Sequence, residues 1–249
     1  MNNISIHEKS VIRIALGMGV AVPFLYFGIQ IAAAPFFPGY SFLARDASTL
    51  GSNGSNLPAL FNIGCLVLGM VTLMAAWGFF HSFRLLKVRT GIAWLATVAL
   101  VASGLADINA FLFPLPDPRH TDSVLALAGA GAVLLPFLLP LALWKLLDRG
   151  PVPGYFVANV VAIVALIPIV SGLVQRFSIM AGFNIPWYQT FLNNYQGLLQ
   201  RIVALLVFGP IAVSAWYLGR RLRNAGSIRC EADSVSYPPQ SPMSRGARQ

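Results

Sequence analysis

Six stretches of roughly twenty or more mostly apolar residues, each set off from the next by a short polar segment, constrain this chain more than any other feature. They run over about 12–34, 58–80, 91–113, 123–146, 153–175 and 197–219. A helix needs about 20 such residues to cross the hydrocarbon core of a bilayer. Lipid also offers no partners to backbone N–H and C=O groups, so a crossing segment must satisfy them internally. The pattern predicts an all-α fold: a polytopic integral membrane protein, with a six-helix transmembrane bundle in residues 1–223. Composition agrees, because charged residues make up 10% of the 249, against about 25% in a soluble domain. The first stretch is longer than the roughly 7–15 apolar residues of a signal peptide. This predicts an uncleaved anchor, although Ala32, Ala33 and Ala34 imitate a cleavage site.

The basic residues set the orientation. Of 17 Lys and Arg, only Arg45, Arg119 and Arg176 fall in the alternate loops after spans one, three and five, and Arg201 falls within the sixth span. The remainder flank the other span ends, including Lys9, Arg13, Arg84, Lys87, Arg89, Lys145, Arg149 and the cluster from Arg220 onward. Basic segments stay on the cytoplasmic side, which predicts both termini in the cytoplasm and a multi-pass protein of the cell membrane, of the bacterial inner-membrane type. Trp77, Trp94, Trp144, Trp216 and Tyr217 then lie near inner span ends, and Tyr40, Trp187 and Tyr188 near outer ones, as interfacial rings prefer. The net charge of +9 is therefore a membrane-orientation signal. No soluble module presents a basic face, so nucleic acid is excluded as a partner.

Between the spans, the loop at about 176–196, with Asn184-Ile185-Pro186-Trp187-Tyr188 and Asn193-Asn194-Tyr195, mixes aromatic and amide side chains and suits a short interfacial amphipathic helix. The segment 224–249 is rich in Ser, Pro and Arg and reads as a disordered cytoplasmic tail. Cys65 falls in a span and Cys230 in that tail, so no structural disulfide joins them. Gly17, Gly19, Ala126–Ala132 and similar small-residue runs would let helices approach closely, and Pro23, Pro136, Pro140, Pro168 and Pro210 would kink them.

Ionisable side chains inside a bilayer are costly and point to function. The predicted midplane has almost none; the polar residues gather at the outer end. Asn62 opens span two, Asp107 and Asn109 close span three, and Gln175, Gln200 and Arg201 flank the ends of spans five and six. Asp46, Asp117, Arg119, His120 and Asp122 lie in outer loops. Arg201, about one turn inside its span, must reach outward or pair with an acid, and Asp107 at matching depth is the expected partner. His120, flanked by Asp117 and Asp122 in a proline-bounded loop, has the chemistry of a general acid or base. Asp46 and Asp107 are the candidate carboxylates beside it. A serine nucleophile at Ser48 is compatible with the same side of the membrane.

Much is excluded. Of the three histidines, His7 precedes span one, while His81 at the inner end of span two and His120 in an outer loop fall on opposite sides of the membrane, which disfavours a bis-histidine haem or a multi-histidine catalytic zinc ion; neither metal nor cofactor is expected. The chain has no phosphate-binding P-loop, dinucleotide fingerprint or Gly-x-Ser-x-Gly elbow.

Several short motifs carry a resemblance. They are Tyr40-Ser41-Phe42 leading to Ser48-Thr49-Leu50-Gly51, Leu60-Phe61-Asn62-Ile63-Gly64, Phe113 to His120, and Gly197-Leu198-Leu199-Gln200-Arg201. Over about residues 12–219 the chain resembles the DUF998 family of six-span membrane proteins from bacteria and archaea. That family often has an acid shortly before the Leu-Gly of its first loop; here Thr49 precedes Leu50 and the nearest acid is Asp46. The resemblance implies a six-span topology and an outward polar cluster, and supplies no reaction.

Three functions fit. The first is binding or handling of a lipid or small amphiphile, with Arg201, Arg119, Asn62, Asp107 and His120 around the head group. The second is a membrane-embedded hydrolase or transferase using Asp46, Asp107 and His120. The third is a structural or accessory subunit in which the polar cluster ties loops together. Membrane lipids are expected partners in all three.

Overall fold

The computed structural model describes residues 6–120, 131, 133–148, 150–170, 180 and 185–235. Every regular element among them is helical: α1 (Ile6–Ala33), α2 (Pro58–Leu85), α3 (Thr90–Leu112), α4 (Leu135–Leu143), α5 (Pro151–Val170) and α6 (Pro186–Val235), with 3-10 turns at Ala34–Phe36 and Ala47–Gly51. Asp122, Arg149, Gln175, Arg176 and the first part of the predicted fourth span lie outside the described residues.

Four helical segments among the described residues are long and apolar enough to cross a membrane: Glu8–Phe36, Pro58–Leu85, Thr90–Leu112 and Thr190–Asn224. Their outward surfaces carry large apolar side chains such as Phe24, Leu205, Leu95 and Ile14, which water would penalise and lipid accommodates. Residues 186–196 do not form the separate interfacial helix expected from their composition. They run unbroken into the last span as the first turns of α6, because no helix-breaking residue stands between Pro186 and Gly197. The same helix continues to Val235.

The bundle is organised around α1, α2 and α3, which pack in sequence, with α6 lying against α1 and both α4 and α5 packed on α6. Lipid tails give helices no hydrophobic reason to associate, so close van der Waals fit must do it. Small residues make that fit possible. A Cβ on Gly69 would lie 2.6 Å from the Gly104 carbonyl oxygen of α3, one on Gly78 would lie 2.8 Å from Ala15 Cβ, and one on Gly19 would lie 2.9 Å from Ala215 Cβ. Phe79, Phe83, Leu16, Leu100, Leu139, Ile211 and Leu218 fill the centre. Three buried hydroxyls there bond back along their own helix: Thr72 to the Leu68 carbonyl, Ser82 to Gly78 and Thr97 to Ala93, at 2.9, 2.7 and 2.8 Å; the Ser214 hydroxyl of α6, also buried, has no partner. The first three cost little because they are satisfied.

A second, smaller core lies at one end of the bundle. Ala33, Phe37, Ala47, Leu50, Phe61 and Cys65 pack together there, so the loop between α1 and α2 is a folded cap with its own apolar interior.

Candidate functional site

Loop one, residues 37–57, is tied to α6 by side chains that the sequence separates widely. Arg201 is 8% exposed. Its Nη1 donates to the carbonyls of Phe42, Arg45 and Gly197 at 2.7, 3.1 and 2.7 Å, and its Nη2 donates to the Tyr40 hydroxyl at 2.6 Å. The guanidinium also lies over the Phe42 ring, 4.8 Å from its centroid. Tyr40 passes its own proton to the carbonyl of Asp46 at 3.1 Å. Gln200 accepts from the Ala47 amide at 2.7 Å, Gln196 donates to the Asp46 carboxylate at 2.5 Å, and the Leu198 amide donates to the Leu43 carbonyl at 2.9 Å. Gly197 permits this approach: a Cβ there would lie 2.3 Å from the Arg45 carbonyl oxygen and 2.7 Å from that of Phe42.

The expected ion pair between Arg201 and Asp107 is not formed. Among the described residues the ion pairs are Arg119–Asp117 and Arg221–Asp148. The loop-one carbonyls supply acceptors nearer to the guanidinium than any acid on α3, and a planar five-donor fork suits several carbonyls at once. Asp107, near the end of α3, keeps a buried Oδ2 with no hydrogen-bond partner. Two further buried atoms share that condition beneath loop one, Gln30 Oε1 and Arg201 Nε. Tyr26, one turn before Gln30 on α1, accepts from Gln30 Nε2 at its backbone carbonyl at 3.1 Å. Two acceptors and one donor are therefore buried among apolar helices without a partner.

The other expected site residues have different settings. Asn62 donates from Nδ2 to the Gly51 carbonyl at 3.1 Å, pinning the end of loop one to the start of α2. Asp46 occupies the N-cap of the turn Ala47–Gly51 without a capping bond, since its carboxylate faces Gln196. Burial pushes the Asp46 carboxyl above its ordinary range, with the Gln196 bond and the Arg201 charge opposing. Burial likewise raises the Tyr40 phenol, against Arg201. Arg119 grips Asp117 with Nε and Nη2 at 3.1 and 2.8 Å and stacks on Phe113 at 4.1 Å. Those hydrogen bonds hold the Asp117 carboxyl below its usual range. His120 is 8% exposed, with Nδ1 2.8 Å from the Phe113 carbonyl and its amide 3.0 Å from that of Asp117. Among the described residues no hydrogen bond joins His120 to Ser48, Asp46 or Asp107. Nor do three His, Cys, Asp or Glu side chains gather as a metal site among those residues.

Sequence reasoning missed Tyr26, Gln30 and Gln196. Gln30 had a signal: it is the one amide in the outer half of α1, surrounded by Ile29, Ile31 and Ala32. Its Nε2 donates to the Tyr26 carbonyl at 3.1 Å, which leaves only the oxygen open.

The motifs Tyr40–Gly51, Asn62 and Gly197–Arg201, remote in sequence, therefore form one assembly. A family described as protein of unknown function (DUF998) matches residues 20–217, a segment that contains all of them. No curated protein and no solved structure matches the chain.

Proposed function

The chain belongs to the DUF998 family, and from that premise we propose that it is a six-span protein of the bacterial cell membrane, with both termini cytoplasmic, that binds a lipid or small amphiphile beneath loop one. The observation that carries the reading is the set of three buried polar atoms without partners, Gln30 Oε1, Asp107 Oδ2 and Arg201 Nε. Each such group costs about 1–3 kcal/mol when left unsatisfied. A head group with an anionic or carbonyl oxygen for Arg201, and hydroxyl or amine hydrogens for Gln30 and Asp107, complements all three. Its acyl or alkyl part has the apolar surface of the bundle to lie on. Asn62 and the Arg119–Asp117 pair act at the rim by fixing the loops, and the predicted tail beyond residue 223 takes no part.

The structural reading has one observation in its favour: Arg201 already satisfies Nη1 and Nη2 within the protein. Native mass spectrometry in mild detergent separates the two, comparing the wild type with Gln30→Leu and Asp107→Leu. Binding predicts one retained small-molecule mass in the wild type that both variants lose while keeping helicity. Bare protein in all three samples overturns binding and leaves loop one as a purely structural cap.

A further inference from the structure

A second polar site lies at the opposite end of α2, about 40 Å of helix from loop one. The turn between α2 and α3 borders a cavity of about 750 Å³ lined by Phe80, Arg84, Lys87, Arg89, Thr90 and Trp94, and no carboxylate is among its lining residues. Arg84, Lys87 and Arg89 are all exposed, so three cations converge on one space without a counter-ion in its wall. We propose that this cavity binds the head group of an anionic phospholipid.

Positive-inside bias accounts for basic residues in this turn; it does not account for how they are held. The α2 helix ends with the Val88 amide donating to the Phe83 carbonyl at 2.9 Å, a closing bond that requires a left-handed residue, usually glycine, at the position between. Lys87 occupies it at φ 54°. A side chain is costly in that conformation, and what the position gains is a cation on the cavity. Arg84 is steadied over Phe80, with its guanidinium carbon 5.8 Å from the ring centroid. Thr90 begins α3, so the free amides of a 23-residue helix and the positive end of its dipole lie at the cavity. Trp94 packs on Phe80 with centroids 4.7 Å apart and is half exposed, in the manner of rings at the head-group level. Nearby, His81 stacks on Trp77 at 4.2 Å and feels Glu8 as well as Arg84. Cations for the phosphate, helix amides behind them and an aromatic wall toward the acyl region together suit a phosphodiester anchored in lipid better than a free anion.

The test is native mass spectrometry of the full chain in detergent, titrated separately with phosphatidylglycerol, phosphatidylcholine and inorganic phosphate. Phosphatidylglycerol is expected to stay bound at a collision energy that strips phosphatidylcholine, and phosphate is expected to leave no adduct. The bound fraction should fall about five-fold per cation removed, in Arg84→Gln/Arg89→Gln and in Lys87→Gly. The latter relieves the left-handed lysine and so should fold at least as well as wild type. The control Arg220→Gln/Arg223→Gln, which removes charge elsewhere, should retain the lipid. Equal retention of both lipids, a phosphate adduct on its own, unchanged binding in Lys87→Gly, or equal loss in the control would each overturn the site. If the double variant does not insert, the wild-type lipid comparison and Lys87→Gly decide.

Discussion

The guanidinium of Arg201 donates to the carbonyl of Phe42 at 2.7 Å across 159 residues of chain. With the Arg45 and Gly197 carbonyls and the Tyr40 hydroxyl on the same side chain, that contact makes one residue of α6 the closure of loop one. Replacing it by alanine leaves the Phe42 carbonyl without a donor and the Arg45 carbonyl with only the Tyr40 hydroxyl at 3.4 Å, at about 1–3 kcal/mol for each bond lost. Arg201→Ala should lower the melting temperature in detergent by roughly 5–10 °C and expose loop one to protease. Arg201→Lys should fall between, since an ammonium keeps the charge but loses the planar fork. A melting curve for Arg201→Ala superimposable on wild type would show that the loop closes without it.

Gly197 should tolerate nothing larger than hydrogen. A Cβ 2.3 Å from the Arg45 oxygen must displace loop-one backbone, so Gly197→Ala should reproduce much of the Arg201→Ala loss. Gly219→Ala, on the same helix with nothing within 4 Å of its Cβ, should be neutral or slightly stabilising. Thermal unfolding of the pair is a direct comparison, and equal stability would refute the close approach.

Stability should depend on pH through Asp46. Its carboxyl is raised by burial above the ordinary value of 3.8, so the folded protein binds this proton more tightly than the unfolded chain. The contribution is therefore fully present below about pH 4 and is lost as pH rises through the folded value. Asp46→Asn keeps an oxygen facing Gln196 and cannot ionise. It should raise the melting temperature at pH 7 and leave it unchanged near pH 3.5; a variant less stable at pH 7 would mean that the ionised form holds the loop.

At the other end of the bundle Tyr217 joins α4 to α6. Its hydroxyl bonds the Leu146 carbonyl and accepts from Arg221 Nε at 3.0 Å and from the Asp148 amide at 3.3 Å. Tyr217→Phe should cost about 1–2 kcal/mol, seen as faster proteolysis between α4 and α5. Unchanged proteolysis would mean that Arg221, which also reaches Leu146 and Asp148 at 2.5 Å, holds the corner alone.

The proposed topology puts Ser52 and Lys87 on opposite sides of the membrane. In a background of Cys65→Ala and Cys230→Ser, a membrane-impermeant maleimide should label Ser52→Cys in intact cells and Lys87→Cys only after permeabilisation. Labelling of both in intact cells would require a different path for the chain.

The membrane-embedded, all-helical character and the family were legible in the sequence because they rest on local quantities. A run of apolar residues long enough to span lipid is itself a helix signal, since the bilayer leaves backbone groups no other partners. The four long helices are that signal made solid, and the short motifs around Leu50-Gly51 and Gly197–Arg201 were sufficient to suggest the family. Partners were another matter. Depth along a helix is a matter of counting residues, and it made Asp107 the natural mate for Arg201. Which groups face each other depends on helix rotation and on where a loop folds back, and neither has a local code. Only the tertiary structure brought the carbonyls of Phe42 and Arg45 to the guanidinium, left Gln30, Asp107 and Arg201 each with an open polar atom, and turned His120 toward Phe113. Main-chain oxygens carry no sequence signature, yet in a medium without water they are the acceptors closest to hand.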